Sequence, residues 1–127
     1  MNIMICGSRD FTNFIFLEKQ VLEDLQDYLS KNPHIGHFDR RQTYIISGKA
    51  RGADALGELF ARKYGLKTKE YPAQWDLYGK KAGFIRNETM VNESDIVIIF
   101  HDGKSKGTKH DLELCKMKGK TYYYHLV

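Results

Sequence analysis

The run Ile96-Val97-Ile98-Ile99-Phe100 has no polar residue in it, and it constrains the fold of this chain more than any other stretch. A strand with one face in water alternates apolar and polar residues, whereas a strand covered on both faces does not. The run therefore predicts a central strand of a sheet sandwiched between helices. It is too short to cross a bilayer as a helix. The first residues, Met1 to Cys6, have neither the basic start nor the long apolar stretch of a signal peptide, so a cytoplasmic chain with no membrane partner is expected.

Four more stretches rich in β-branched or aromatic residues, 2–6, 43–47, 68–71 and 121–126, read as strands. Between them Phe14, Leu17, Val21, Leu25, Tyr28 and Leu29 recur at three- and four-residue spacings and predict a helix over 13–31. Leu56, Leu59, Phe60 and Lys63 repeat the pattern over 53–64, with Gly65 as its left-handed cap. Shorter patterns mark helices around 82–92 and 108–118. Five strands alternating with four helices imply right-handed crossovers and an α/β fold: a mostly parallel five-stranded sheet covered on both faces. The length, 127 residues, suits a single domain. Cys6 and Cys115 form neither a disulfide framework nor a metal spacing and read as buried bystanders. The Tyr122-Tyr123-Tyr124-His125 segment reads as an edge strand or as a face lying under a partner subunit, so a homo-oligomer is expected.

In an open α/β sheet ligands bind beyond the carboxyl ends of the strands, so the strand-to-helix segments are the ones to inspect. They read Gly7-Ser8-Arg9-Asp10, Gly48-Lys49-Ala50-Arg51-Gly52-Ala53-Asp54, Trp75 through Gly83, and His101-Asp102-Gly103-Lys104-Ser105-Lys106-Gly107-Thr108; the opposite strand ends look bland. Arg9, Lys49, Arg51, Lys80, Lys81, Arg86, Lys104, Lys106 and Lys109 lie in or beside these loops, so nine of the twenty basic residues would converge on one rim. Glycines let the backbone approach a ligand, and each following helix aims the positive end of its dipole at the same place, which suits phosphate. The net charge of +4 agrees with an anionic partner without demanding nucleic acid. The spacing is neither the dinucleotide G-x-G-x-x-G nor a Walker-type loop. The five histidines, His34, His37, His101, His110 and His125, are scattered, and neither a metal site nor a cofactor is expected.

Taken as a set, Gly7-Ser8-Arg9-Asp10-Phe11, Ser47 through Asp54, Ala82 through Met90 and Asp102 through Thr108 resemble the SLOG superfamily in its small YspA-like branch. The resemblance spans nearly the whole chain. It implies a single Rossmann-like three-layer domain over residues 1–127 that binds nucleotides or their ribose-phosphate derivatives. With the loop reading above, in which Trp75 is a stacking candidate, it makes Gly7, Ser8, Arg9, Ser47, Gly48, Lys49, Arg51, Gly52, Asp54, Trp75, Arg86, Asn87, Gly103, Lys104, Ser105, Lys106, Gly107 and Thr108 the candidate ligand-binding residues. Lys49 stands where the branch usually shows a second glycine, which would narrow that loop or add a cation to it.

The superfamily also contains the cytokinin-activating phosphoribohydrolases, marked by Arg-Lys-x-x-Met and Gly-Gly-x-Gly-Thr-x-x-Glu. Here the matching stretches read Arg86-Asn87-Glu88-Thr89-Met90 and Lys106-Gly107-Thr108-Lys109-His110-Asp111. By resemblance Arg86 and Asp111 are the catalytic candidates, but Asn87 replaces the lysine and Asp111 is one methylene shorter than the glutamate. An ångström of misplacement can cost about a hundredfold in rate.

Other readings of the same residues stand beside these. Thr108 and Asp111 are close to a capping box, with Thr108 capping the helix and Asp111 complementing its dipole. Arg86 near a helix start opposes the dipole, which favours a ligand role. Arg9 has a fork suited to phosphate or to an ion pair with Asp10, Asp54 or Asp76. Asp54 balances a helix start, and Trp75 and Tyr78 either pack in a lid or stack on a base.

The leading functional expectation is a stand-alone sensor or sequestering sponge for a nucleotide-derived ligand, of ADP-ribose or cyclic-nucleotide type, as in a phage product acting against nucleotide-based immune signalling. The alternatives are a phosphoribohydrolase acting on nucleoside monophosphates and, ranked last, a single-stranded nucleic-acid binder. Nucleic acid is held an unlikely partner because no extended basic or aromatic track is visible.

Overall fold

The computed structural model describes residues 1–127 and contains, in order, β1 (Asn2–Gly7), α1 (Phe14–Lys31), β2 (Tyr44–Ser47), α2 (Ala53–Tyr64), β3 (Lys67–Glu70), α3 (Trp75–Tyr78), α4 (Ala82–Glu93), β4 (Ile96–His101), α5 (Lys106–Lys118) and β5 (Tyr122–Leu126). All six residues of β4 are buried, as the unbroken apolar run requires. The sheet order is β3-β2-β1-β4-β5, and every neighbouring pair is parallel.

The two-residue period of a strand divides the core cleanly. Ile3 and Ile5 of β1, with Ile96, Ile98 and Phe100 of β4, meet Leu17 and Val21 of α1 and Phe60 and Ala61 of α2. The alternate residues, Met4, Cys6, Val97 and Ile99, meet Met90 and Val91 of α4 and Leu114 and Cys115 of α5 on the other face. The result is the expected Rossmann-like arrangement, with two helices against each side of the sheet. No helix is long and apolar enough to cross a membrane.

Local signals account for most helix ends. The Asn13 side chain accepts from the Phe16 amide at 3.0 Å and starts α1, and Gly65, at φ 69°, closes α2 as expected. Helix α5 begins two residues earlier than its periodicity predicts, and the cap is Ser105, whose Oγ accepts from the Thr108 amide; Thr108 lies inside the helix and is not its cap. The four-residue α3 is too short for periodicity to show.

β5 is an edge strand, but its tyrosines are committed within the chain. Tyr123 donates to Asp27 at 2.7 Å, Tyr124 bonds His101 at 2.8 Å, and Tyr122 packs on the α4–α5 side of the core. Tyr124 nevertheless keeps an exposed surface at this edge, next to the exposed Leu126. Nor is the opposite end of the sheet bland: a hollow of about 300 Å³ there is walled by Ile3, Leu22, Leu25, Phe38, Phe60 and Leu66.

Candidate nucleotide-phosphate site

Strands β1 and β4 lie side by side, yet the chain leaves them toward opposite faces, β1 to α1 and β4 to α5. A crevice opens where the two exits part, beyond the carboxyl ends of the strands. It has two chambers. The outer one, about 460 Å³, is walled by Arg9, Gly48, Lys49, Ala50, Arg51, Pro72, Ala73, Trp75 and Arg86. The inner one, about 70 Å³, is walled by Cys6, Gly7, Arg9, Ala50, Asp54, Arg86, Asn87, Met90, Ser105, Gly107, Thr108 and Asp111. Arg9, Ala50 and Arg86 border both.

Two glycines shape the loop after β2, whose residues 48–51 wall the outer chamber. Gly52 sits at φ 75° with no room for a Cβ, which would be driven into the carbonyl oxygen of Ser8. At Gly48 a Cβ would lie 2.8 Å from an Asp54 carboxylate oxygen and 2.9 Å from Arg86 Nη1. That vacant space lets Arg86, on the second turn of α4, donate through Nη1 to the Gly48 carbonyl. Its Nε donates to Asn87 Oδ1 at 3.0 Å, and Asn87 Nδ2 reaches the Gly107 carbonyl at 3.4 Å. Arg86 and Asn87 together thus link the loop after β2 to the start of α5.

Lys49 is the one non-glycine residue with positive φ, 61°, so the loop keeps the left-handed turn that a glycine would make. Its ammonium is drawn to Glu58 at 2.8 Å and Glu70 at 3.4 Å, which hold its pKa above the ordinary value. Arg51 pairs with Asp10 at 3.3 Å, with both side chains mostly in water. Arg9 and the half-exposed Trp75 complete the outer wall.

The inner chamber is acidic in composition but not in charge. Asp111 is buried, and desolvation, with the Asp54 charge nearby, pushes its pKa up to about 8, so at neutral pH it is mostly a neutral acid. One of its oxygens, Oδ1, has no hydrogen-bond partner. Asp111 lies on the second turn of α5, beyond the first turn over which the dipole acts, so it is not placed to complement it. Asp54, also buried, is raised to about 6 by desolvation, against the lowering effect of the Ala50 amide at 3.3 Å and of Arg86. Cys6, read from the sequence as a bystander, forms part of this wall beside Asp111, and burial raises its thiol pKa. The alternation that puts Met4 and Cys6 on the α4–α5 side of β1 was the available signal.

Several other sequence candidates serve the scaffold. Ser8 Oγ accepts from the Asp102 amide at 2.9 Å, and Ser47 Oγ donates to Glu58 at 2.7 Å. Asp102 holds the Lys104 and Ser105 amides, both at 2.8 Å. Gly103, Lys104 and Lys106 border neither chamber; of the nine basic residues near the loops, Arg9, Lys49, Arg51 and Arg86 do.

Comparison with known proteins agrees with this architecture. The model of the YspA, cpYpsA-related SLOG family matches residues 1–78. The chain is 28% identical over 123 residues to the Gene 61 protein of Mycobacterium phage D29, covering 92% of this chain and 90% of that one. Among solved structures it resembles DNA processing protein A from Helicobacter pylori, described for its single-stranded DNA binding mode, with a TM-score of 0.61 at 21% identity. The match covers 98% of this chain and 64% of that one, so this chain spans less than two thirds of that protein's length. The expectation that nucleic acid is an unlikely partner is overturned by this likeness: a protein of the same fold is a single-stranded DNA binder, so the lack of a continuous basic or aromatic track is no ground for exclusion.

Proposed function

Because this chain belongs to the YspA, cpYpsA-related SLOG family, we propose that it binds a nucleotide at the β1/β4 crevice, phosphate outermost and ribose inward. The observation that carries the reading is the coupling of the two chambers through Arg9 and Arg86. A cationic outer chamber with Arg51 suits phosphate oxygens, because charge-assisted bonds to guanidinium are the strong ones. An unpartnered, neutral carboxyl at Asp111 suits a hydroxyl, to which it can donate or from which it can accept. Trp75 offers a half-exposed ring to a base.

The reading is of a binder, a sensor or sequestering protein for a nucleotide-derived small molecule. Turnover is disfavoured because a mostly protonated Asp111 is a poor base for water at neutral pH. A second reading, that the nucleotide is part of single-stranded nucleic acid, is favoured by the likeness to DNA processing protein A.

A thermal-shift panel of mononucleotides, ADP-ribose, cyclic dinucleotides and oligothymidylate tests both. A ligand at a hundred times its Kd adds about 2.7 kcal/mol of stability. Response to a small molecule alone supports the first reading, and a salt-sensitive response to the oligonucleotide alone supports the second. No response to any member overturns the site. Release of free base from nucleoside monophosphates over many turnovers would replace binding by hydrolysis.

A further inference from the structure

Helix α4 has two unlike faces. Ala82, Asn87, Met90 and Val91 are buried, whereas Lys81, Phe84, Ile85, Glu88 and Asn92 are exposed and border a shallow concavity of about 430 Å³. Phe84 is 50% exposed and its neighbour Ile85 39%. Ile85 also shares a hollow with Tyr78, itself 45% exposed, so the apolar surface continues onto α3. Large adjoining apolar side chains in water mark a contact surface, not an ordinary exposed face.

The charges along this face have an order that names the occupant. Lys81 lies about one turn before the Phe84-Ile85 pair and Glu88 about one turn after it, equally far from the midpoint of that pair. When two copies of a helix pack antiparallel about a two-fold axis, residues equidistant from the axis meet, and each contact occurs twice. An axis between positions 84 and 85 sets Phe84 on the partner's Ile85 and Lys81 on the partner's Glu88. The face is complementary to itself in both apolar contact and charge.

We propose that the exposed face of α4 is an isologous interface and that a second copy of this chain occupies it. Arg86, the residue after Ile85, borders the outer chamber, so the second copy docks beside the mouth of the nucleotide site. The inference does not depend on what that site binds, and its test uses no ligand.

Sedimentation velocity on the whole chain across the micromolar range is expected to show a reversible dimer. Glu88→Lys places like charges at two symmetric points and weakens self-association by about tenfold or more. The double variant Lys81→Glu with Glu88→Lys restores the pairs with their signs reversed and recovers the dimer, a rescue that an interface elsewhere on the surface would not show. Phe84→Asp, also on the solvent side, is expected to give a monomer with an unchanged circular-dichroism spectrum. A wild type that stays monomeric overturns the proposal and leaves the face to a different macromolecule. Dimerisation indifferent to Glu88→Lys and Phe84→Asp, or not recovered in the double variant, also overturns it.

Discussion

Arg86 on α4 donates through Nη1 to the main-chain carbonyl of Gly48, tying a helix on one side of the sheet to the loop that leads to α2 on the other. The same side chain borders both chambers of the crevice, so the proposed anion contact draws on a guanidinium that already anchors the loop. Arg86→Ala is expected to lower nucleotide affinity by about tenfold to a hundredfold, the worth of one charge-assisted contact. Lys106→Ala, outside both chambers, should leave affinity within about twofold of wild type. Isothermal titration with whichever nucleotide stabilises the protein decides; equal losses in both variants would move the site.

Gly48→Ala tests the close approach itself. The added methyl must push aside the Asp54 carboxylate at 2.8 Å and the Arg86 nitrogen at 2.9 Å. The expected cost is about 1–3 kcal/mol of stability, together with loss of binding. Urea melts paired with a binding titration separate the two effects.

Lys49 carries a left-handed backbone and two carboxylate partners. Lys49→Ala keeps the strain and loses the partners, whereas Lys49→Gly loses both. The glycine variant should therefore be the more stable of the two by roughly 1 kcal/mol. Equal melting points would show that the loop relaxes once its ion pairs are gone.

The buried acids give stability a pH dependence of definite sign. Asp111 has its folded pKa raised from 3.8 to about 8, so between those values the folded chain holds a proton that the unfolded chain has released. Its stabilising contribution is complete below the unfolded value and is lost as pH rises through the folded one. Asp54, raised to about 6, acts in the same direction over a narrower window. In Asp111→Asn the melting temperature should gain on wild type steadily from about pH 4 to pH 8 and not beyond. A difference that stays constant over that range would place the Asp111 carboxyl in contact with water.

The α/β order, the buried central strand, the long α1 and the rim where the loops converge were legible in the sequence, because each is a matter of local periodicity or of chain order. Ile96 through Phe100 declared β4, and the glycine-bearing segments around Arg9 and Arg51 marked where the crevice opens. What lay beyond local pattern was where each side chain points once the layers close. Lys49 looked like a phosphate cation and turned to Glu58 and Glu70, and Thr108 looked like a cap where Ser105 supplies one. Cys6 looked inert and became a wall of the inner chamber, and Tyr122 and Tyr123, read together with Tyr124 as one aromatic face, turned out half-buried within the chain. These outcomes turn on contacts between residues far apart in the chain. Desolvation and competing partners set them, and both exist only after β1 and β4 lie side by side between their helices.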